Sequence, residues 1–207
     1  MPRRRALTEA QLTNLLALPT AEPDLVRHWT LGDADLAAVN QRRRDRNRLG
    51  FAVQLCALRY PGRLLRPGEL IPADALRFVA EQLGIHPDAL ASYATRFQTR
   101  YEQLGDLRTA FGFADLTPAL RRDILGWLLP VALATTSAPG IAQALMEELR
   151  RRSLIAPGPF VIEQLVAAAL VVAERHVAGQ LTRNLSPAQT EALDALLAAK
   201  EGTPLSV

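Results

Sequence analysis

The chain has 207 residues, 49% of them hydrophobic, which is enough for a packed core in one or two domains and excludes a disordered polyelectrolyte. One cysteine, Cys56, excludes an internal disulfide or a multi-thiolate metal site. The formal net charge is only +3, but residues 1–63 carry +5 and the remainder −2, so the positive field is N-terminal. Lys200 is the only lysine among 24 basic residues, a bias that an Arg-, Ala- and Leu-rich coding sequence explains.

In chain order, Met1-Pro2-Arg3-Arg4-Arg5 leads into a polar amphipathic stretch, Thr8–Leu18, and not into the apolar run of a secretory signal. A cytoplasmic location is expected, and Cys56, between Leu55 and Ala57, reads as a core position in a reducing compartment. Thr8-Glu9-Ala10-Gln11 has the form of a capping box, opening a helix that Pro19 stops. A second helix begins after Thr30 or Asp33 and carries Leu36, Ala37 and Val39. The third, from about Arg44 to Arg59, is closed by Tyr60-Pro61-Gly62.

After the turn-rich Pro67 to Pro72, apolar spacing predicts helices over Ala73–Leu83, Pro87–Thr95, Thr99–Phe111 and Pro118–Leu129. Three more follow, over Ile141–Arg152, Pro159–Gln180 and Pro187–Ala199, with breaks at Thr117, Pro130, Ala138–Gly140, Ala156–Gly158 and Ser186. No period-two strand signal is evident, and about nine or ten helices are expected. The longest apolar run, Leu165–Ala173, falls far short of the roughly 20 residues that cross a bilayer, so no membrane association is expected. The fold class is therefore all-α, in two tandem helical units, 1–113 and 114–207, with helix-turn-helix-like elements.

Two segments could form such elements. Ala80, Gly84 and Leu90 have the spacing of a small contact residue, a turn glycine and an apolar residue packing back, although any two short helices joined at glycine match it. The second helix of that unit would expose some of His86, Asp88, Ala89, Ser92, Tyr93 and Arg96. The other candidate runs from Leu31–Ala38 through Asn40–Arg43 into the basic helix, where an ordinary helical hairpin is the alternative.

Arg42, Arg43, Arg44, Arg46, Asn47 and Arg48 gather at the N-terminal end of that helix. Cations there oppose the macrodipole, so a purely structural helix gains nothing from them, whereas a phosphate is favoured by both the arginines and the backbone N–H groups. A solvated charged face accounts for the same composition without a ligand. Arg150-Arg151-Arg152 closes the helix from Ile141, where cations suit the dipole as well as they suit a phosphate.

Enzymatic signals are missing. His28, His86 and His176 lack metal-type spacing, and neither a Gly-rich phosphate loop nor a Gly-x-Ser-x-Gly elbow is present. No catalytic residue, metal site or cofactor is expected.

Three blocks together resemble the N-terminal region of transposases of the Tn-three family: Trp29-Thr30-Leu31-Gly32-Asp33-Ala34-Asp35-Leu36, Arg46-Asn47-Arg48-Leu49-Gly50-Phe51-Ala52-Val53-Gln54-Leu55-Cys56, and Leu58-Arg59-Tyr60-Pro61-Gly62-Arg63. The resemblance continues through Ala80–Gly84, Tyr93, Thr99-Arg100-Tyr101-Glu102 and Leu149–Arg152 to Ala156-Pro157-Gly158. Gln103 departs from it, since many relatives carry histidine after the glutamate.

The resemblance implies a large cytoplasmic bacterial protein whose N-terminal helical domains bind the transposon's terminal inverted repeats. It also implies a far-downstream acidic catalytic domain of RNase H-like fold, working with divalent metal. With no room for that domain here, the chain reads as a fragment or truncated gene product. The expected partner is double-stranded DNA at the transposon ends, with self-association within a longer transposase. The candidate DNA-contacting set is Arg42, Arg43, Arg44, Arg46, Asn47, Arg48, Arg59, Arg63, Arg96, Arg100, Arg150, Arg151 and Arg152, with Gly50, Phe51, Leu55 and Leu58 seating the basic helix. A protein-interaction module for transposase assembly or host-factor contact is the alternative.

Overall fold

The computed structural model describes residues 5–93 and 97–197. Among them the chain forms ten α-helices, a 3-10 helix and one minimal parallel strand pair, so the all-α expectation holds. The α-helices are α1 (Glu9–Leu15), α2 (Glu22–Trp29), α3 (Asp33–Asn40), α4 (Asp45–Arg59), α5 (Ala73–Leu83), α6 (Phe97–Phe111), α7 (Pro118–Ala134), α8 (Ala138–Arg151), α9 (Pro159–Thr182) and α10 (Pro187–Leu197).

The local signals act as expected at several ends. Thr8 Oγ1 accepts from Gln11 N and Gln11 Oε1 accepts from Thr8 N, completing the capping box of α1. Gly84 ends α5 in the left-handed region at φ 63°, a conformation that costs glycine nothing.

Four segments differ from the expectation. Helix α2 has its own apolar face on Leu25 and Trp29, but it is only eight residues long and begins at Glu22-Pro23 without a side-chain cap. Residues Pro87–Ser92 form a 3-10 helix, not an α-helix, so among the described residues the unit after Gly84 has no α-helical second member; Thr95, where that helix was expected to end, lies outside them. Helix α7 continues through Pro130, because Ile124, Leu128 and Ala132 bury one face across it. That burial offsets an interior-proline cost of about 3 kcal/mol. Ala138-Pro139-Gly140 is the first turn of α8, capped by Ser137, where proline's missing N–H goes unneeded.

Two hydrophobic cores organise the chain. The first gathers α2 to α6 around Trp29, Val39, Phe51, Val79 and Leu107. The second gathers α7, α8 and α9 around Ile124, Leu128, Leu145, Leu149 and Val166. Sequence order is exchanged at two points: Leu7, Leu12 and Leu16 of the α1 region pack into the second core, and Ile155 packs into the first. Where the cores meet, Ala114–Asp115 (β1) pairs in parallel with Leu154–Ile155 (β2), too short to leave an alternating pattern in the sequence.

Helix α4 is the axis of the first core. Every residue from Leu49 to Leu58 is buried, so only its first turn and its last residue reach the surface. Gly50 is required there, since a Cβ at this position would overlap the ring of Tyr93, whose hydroxyl donates to Gln103 Oε1 at 2.7 Å. Phe51, Leu55 and Leu58 are buried with it, as expected of the residues that seat the basic helix.

Candidate nucleic-acid interface

The turn between α3 and α4 carries the arginine cluster. Val39 O accepts from Arg42 N at 3.0 Å, ending α3, and Arg44 takes an extended conformation as the residue that opens α4. Arg44 O accepts from Asn47 N and Arg48 N, but no side chain caps the helix. The start of a helix buried from its second turn onward is thus presented with Asp45 as its only first-turn carboxylate.

The candidate arginines divide by what they touch. Arg43 and Arg44 are exposed and Arg46 and Asn47 half-buried, and among the described residues none of their side chains has a hydrogen bond or ion pair. Arg42 reaches back to Asp106 of α6 at 2.5 Å, with its guanidinium carbon 4.5 Å from the Phe51 ring centroid. Arg48 donates to Asn40 Oδ1 at 2.6 Å and lies 3.4 Å from Asp45.

The remaining candidates are built into the fold more firmly. Arg59 donates two bonds, at 2.5 and 2.6 Å, to Asp35, whose side chain is 5% exposed. Burial pushes the Asp35 carboxyl up, but the bonds from Arg59 and from Gly32 N–H outweigh it and hold the group below the usual carboxylate range. Arg63 forks onto Glu69 and donates to Leu16 O, tying the loop after α4 to the end of α1. Arg150 lies across the Tyr60 ring and donates to Pro61 O, linking α8 to the end of α4. Arg151 and Arg152 both donate to Glu148, and Arg152 also pairs with Asp123. Arg96 lies outside the described residues, as does the side chain of Arg100.

Asp35, Glu69, Asp106, Asp123 and Glu148 are the partners that the sequence did not single out. Only Glu148, three and four residues before Arg151 and Arg152, carried a local signal. The hydrogen bond from Arg151 pulls the Glu148 carboxyl down against its burial, and Arg152 adds to that pull, leaving it at about 2. A depressed folded-state value means that this carboxylate stabilises the fold fully above its ordinary 4.5 and stops doing so as pH falls through 2. Thermal melts between these limits should therefore fall less steeply for Glu148→Gln than for the parent chain; parallel slopes would refute this role.

A concavity of about 1110 Å³ runs between α1 and α9. Leu12, Leu16, Phe160, Val171 and Val172 line it, and Phe160 is 70% exposed. Among the described residues no group of three His, Cys, Asp or Glu side chains could hold a metal ion, and no helix is long and apolar enough to cross a membrane.

Comparison with known proteins places this architecture. Residues 6–169 match the family described as "Domain of unknown function (DUF4158)". The chain is 41% identical over 206 residues to the transposase for transposon Tn3926 of Escherichia coli, covering 100% of this chain and 21% of the relative. It is 36% identical over 211 residues to the transposase for transposon Tn501 of Pseudomonas aeruginosa, again covering 100% of this chain and 21% of the relative. Against the transposase for transposon Tn1546 of Enterococcus faecium, identity is 31% over 194 residues, covering 94% and 20% respectively. The chain thus spans about a fifth of the length of these relatives. It belongs to the DUF4158 family and corresponds to the N-terminal fifth of transposases of the Tn-three family.

Proposed function

We propose that this chain is a non-catalytic, DNA-binding segment of a transposase that recognises the terminal inverted repeats of its transposon. One observation carries the reading: Arg43, Arg44 and Arg46 have no partner among the described residues and surround the uncapped start of a helix that is otherwise core. Three free guanidinium groups beside unsatisfied backbone N–H groups and a positive helix end form a site for phosphate oxygens.

The α3–turn–α4 unit acts as the helix-turn-helix-like element. Because α4 is buried from Leu49 onward, it meets the duplex end-on instead of lying along the major groove. Arg43, Arg44 and Arg46 contact phosphates and set register, while Asn47 reaches a base edge. The unit over residues 114–207 adds backbone contacts through Arg151, whose side chain is 68% exposed although it pairs with Glu148. Strand cutting and joining belong to the remainder of the full-length protein, which works in the bacterial cytoplasm.

The test is a salt series with a terminal-repeat duplex. The three arginines at the start of α4 contribute about −2.7 to the log–log slope, and Arg151 steepens it further; a flat response would reject the reading. A second reading, a protein-docking module for transposase assembly, is favoured by the apolar groove between α1 and α9 with its exposed Phe160. That mode predicts association that responds far less to salt.

A further inference from the structure

We propose that Arg42 is a positioning residue for the DNA face: held between Asp106 and the Phe51 ring, it fixes the turn from which Arg43, Arg44 and Arg46 reach phosphates, and does not touch DNA itself. This rests on the DNA-binding reading above and divides the arginine cluster into residues that contact and a residue that presents.

Three observations converge on it. The Arg42 side chain is only 21% exposed, whereas Arg43 and Arg44 beside it are exposed. Its guanidinium is engaged on two sides, by the carboxylate of Asp106 at 2.5 Å and by the face of the fully buried Phe51 at 4.5 Å. Its Nε is closed off from solvent and has no hydrogen-bond partner among the described residues, so the ion pair and the stacking alone hold the group where it is.

Reaching a phosphate would require Arg42 to abandon both contacts and leave Asp106 unpaired near the incoming polyanion. In place, it ties the C-terminal end of α3 to α6 and to the core beneath α4. The segment that bears Arg43 and Arg44 then loses little conformational freedom when DNA binds. Asp106, 64 residues further along the chain, belongs to the same device, anchoring Arg42 while partly neutralising it.

Salt dependence separates presenting from contacting, because a strut changes affinity without changing how many phosphates are neutralised. Binding of a terminal-repeat duplex would be followed by fluorescence anisotropy across a salt series for the full chain, R42A, D106N, the double variant and R46A. We expect R42A and D106N each to lose about fivefold in affinity, the double to lose no more than R42A, and all three to keep the parental salt slope. R46A should lower that slope by about 0.9.

A slope reduced by about 0.9 in R42A would make Arg42 a phosphate contact and overturn the proposal, as would tighter binding by D106N. Helical circular dichroism melts establish that each variant is folded at the assay temperature. D106N leaves the Arg42 stacking intact and serves if R42A is not folded. Failure of the DNA-binding reading looks different: the parent itself would show no salt-dependent binding, and R46A would change nothing.

Discussion

Replacing Arg43, Arg44 and Arg46 together with alanine is expected to flatten the log–log salt dependence of DNA binding by about 2.7, roughly 0.9 for each phosphate contact removed. The same variant should be as stable as the parent or slightly more so. None of the three side chains pairs with another described residue, and cations at a helix start oppose its dipole, at a cost of about 0.3–1 kcal/mol each. Binding would thus be lost while stability is kept, the pattern of a face maintained for a ligand. An unchanged salt slope in the triple variant would assign the arginines to solvent.

Breaking the Asp35–Arg59 pair should give the opposite pattern. Asp35 is 4% exposed, accepts from both arms of Arg59 and closes the start of α3 by accepting from Gly32 N at 2.8 Å. Asp35→Ala removes the partner of a guanidinium that is itself 34% exposed, so the cost should lie near the lower end of the range for buried pairs, about 3 kcal/mol. Urea denaturation measures it, and a midpoint unchanged from the parent would contradict the assignment. The double variant D35L/R59M should recover much of the loss, since an apolar pair of similar volume leaves no orphaned charge. Its DNA salt slope should match the parent's, because Arg59 is bound inward.

These two expectations mark the boundary of what the sequence made legible. Gly50, Phe51, Leu55 and Leu58 mark a packed helix in the sequence, and the arginines before them mark its exposed end. Both follow from short-range patterns. The fate of each arginine is a tertiary matter: Arg59 meets a carboxylate 24 residues away and Arg42 one 64 residues away, separations that no periodicity encodes.

Helix α2 leaves little trace in the sequence because its eight residues give only two buried positions, Leu25 and Trp29. Pro130 was read as a stop because local propensity opposes helix there, but burial of Ile124, Leu128 and Ala132 outweighed it. The crossing of α1 to the second core was invisible for the same reason: a capping box fixes where a helix begins, not what it packs against.

The most direct measurement is equilibrium binding of this chain to a duplex of the transposon terminus and to a scrambled duplex of equal length and composition, across a salt series. End recognition predicts tighter, salt-sensitive binding to the terminus at every salt concentration, with the preference retained as the electrostatic term is screened. Equal affinity for the two duplexes would contradict it, leaving a basic surface that grips DNA without reading it.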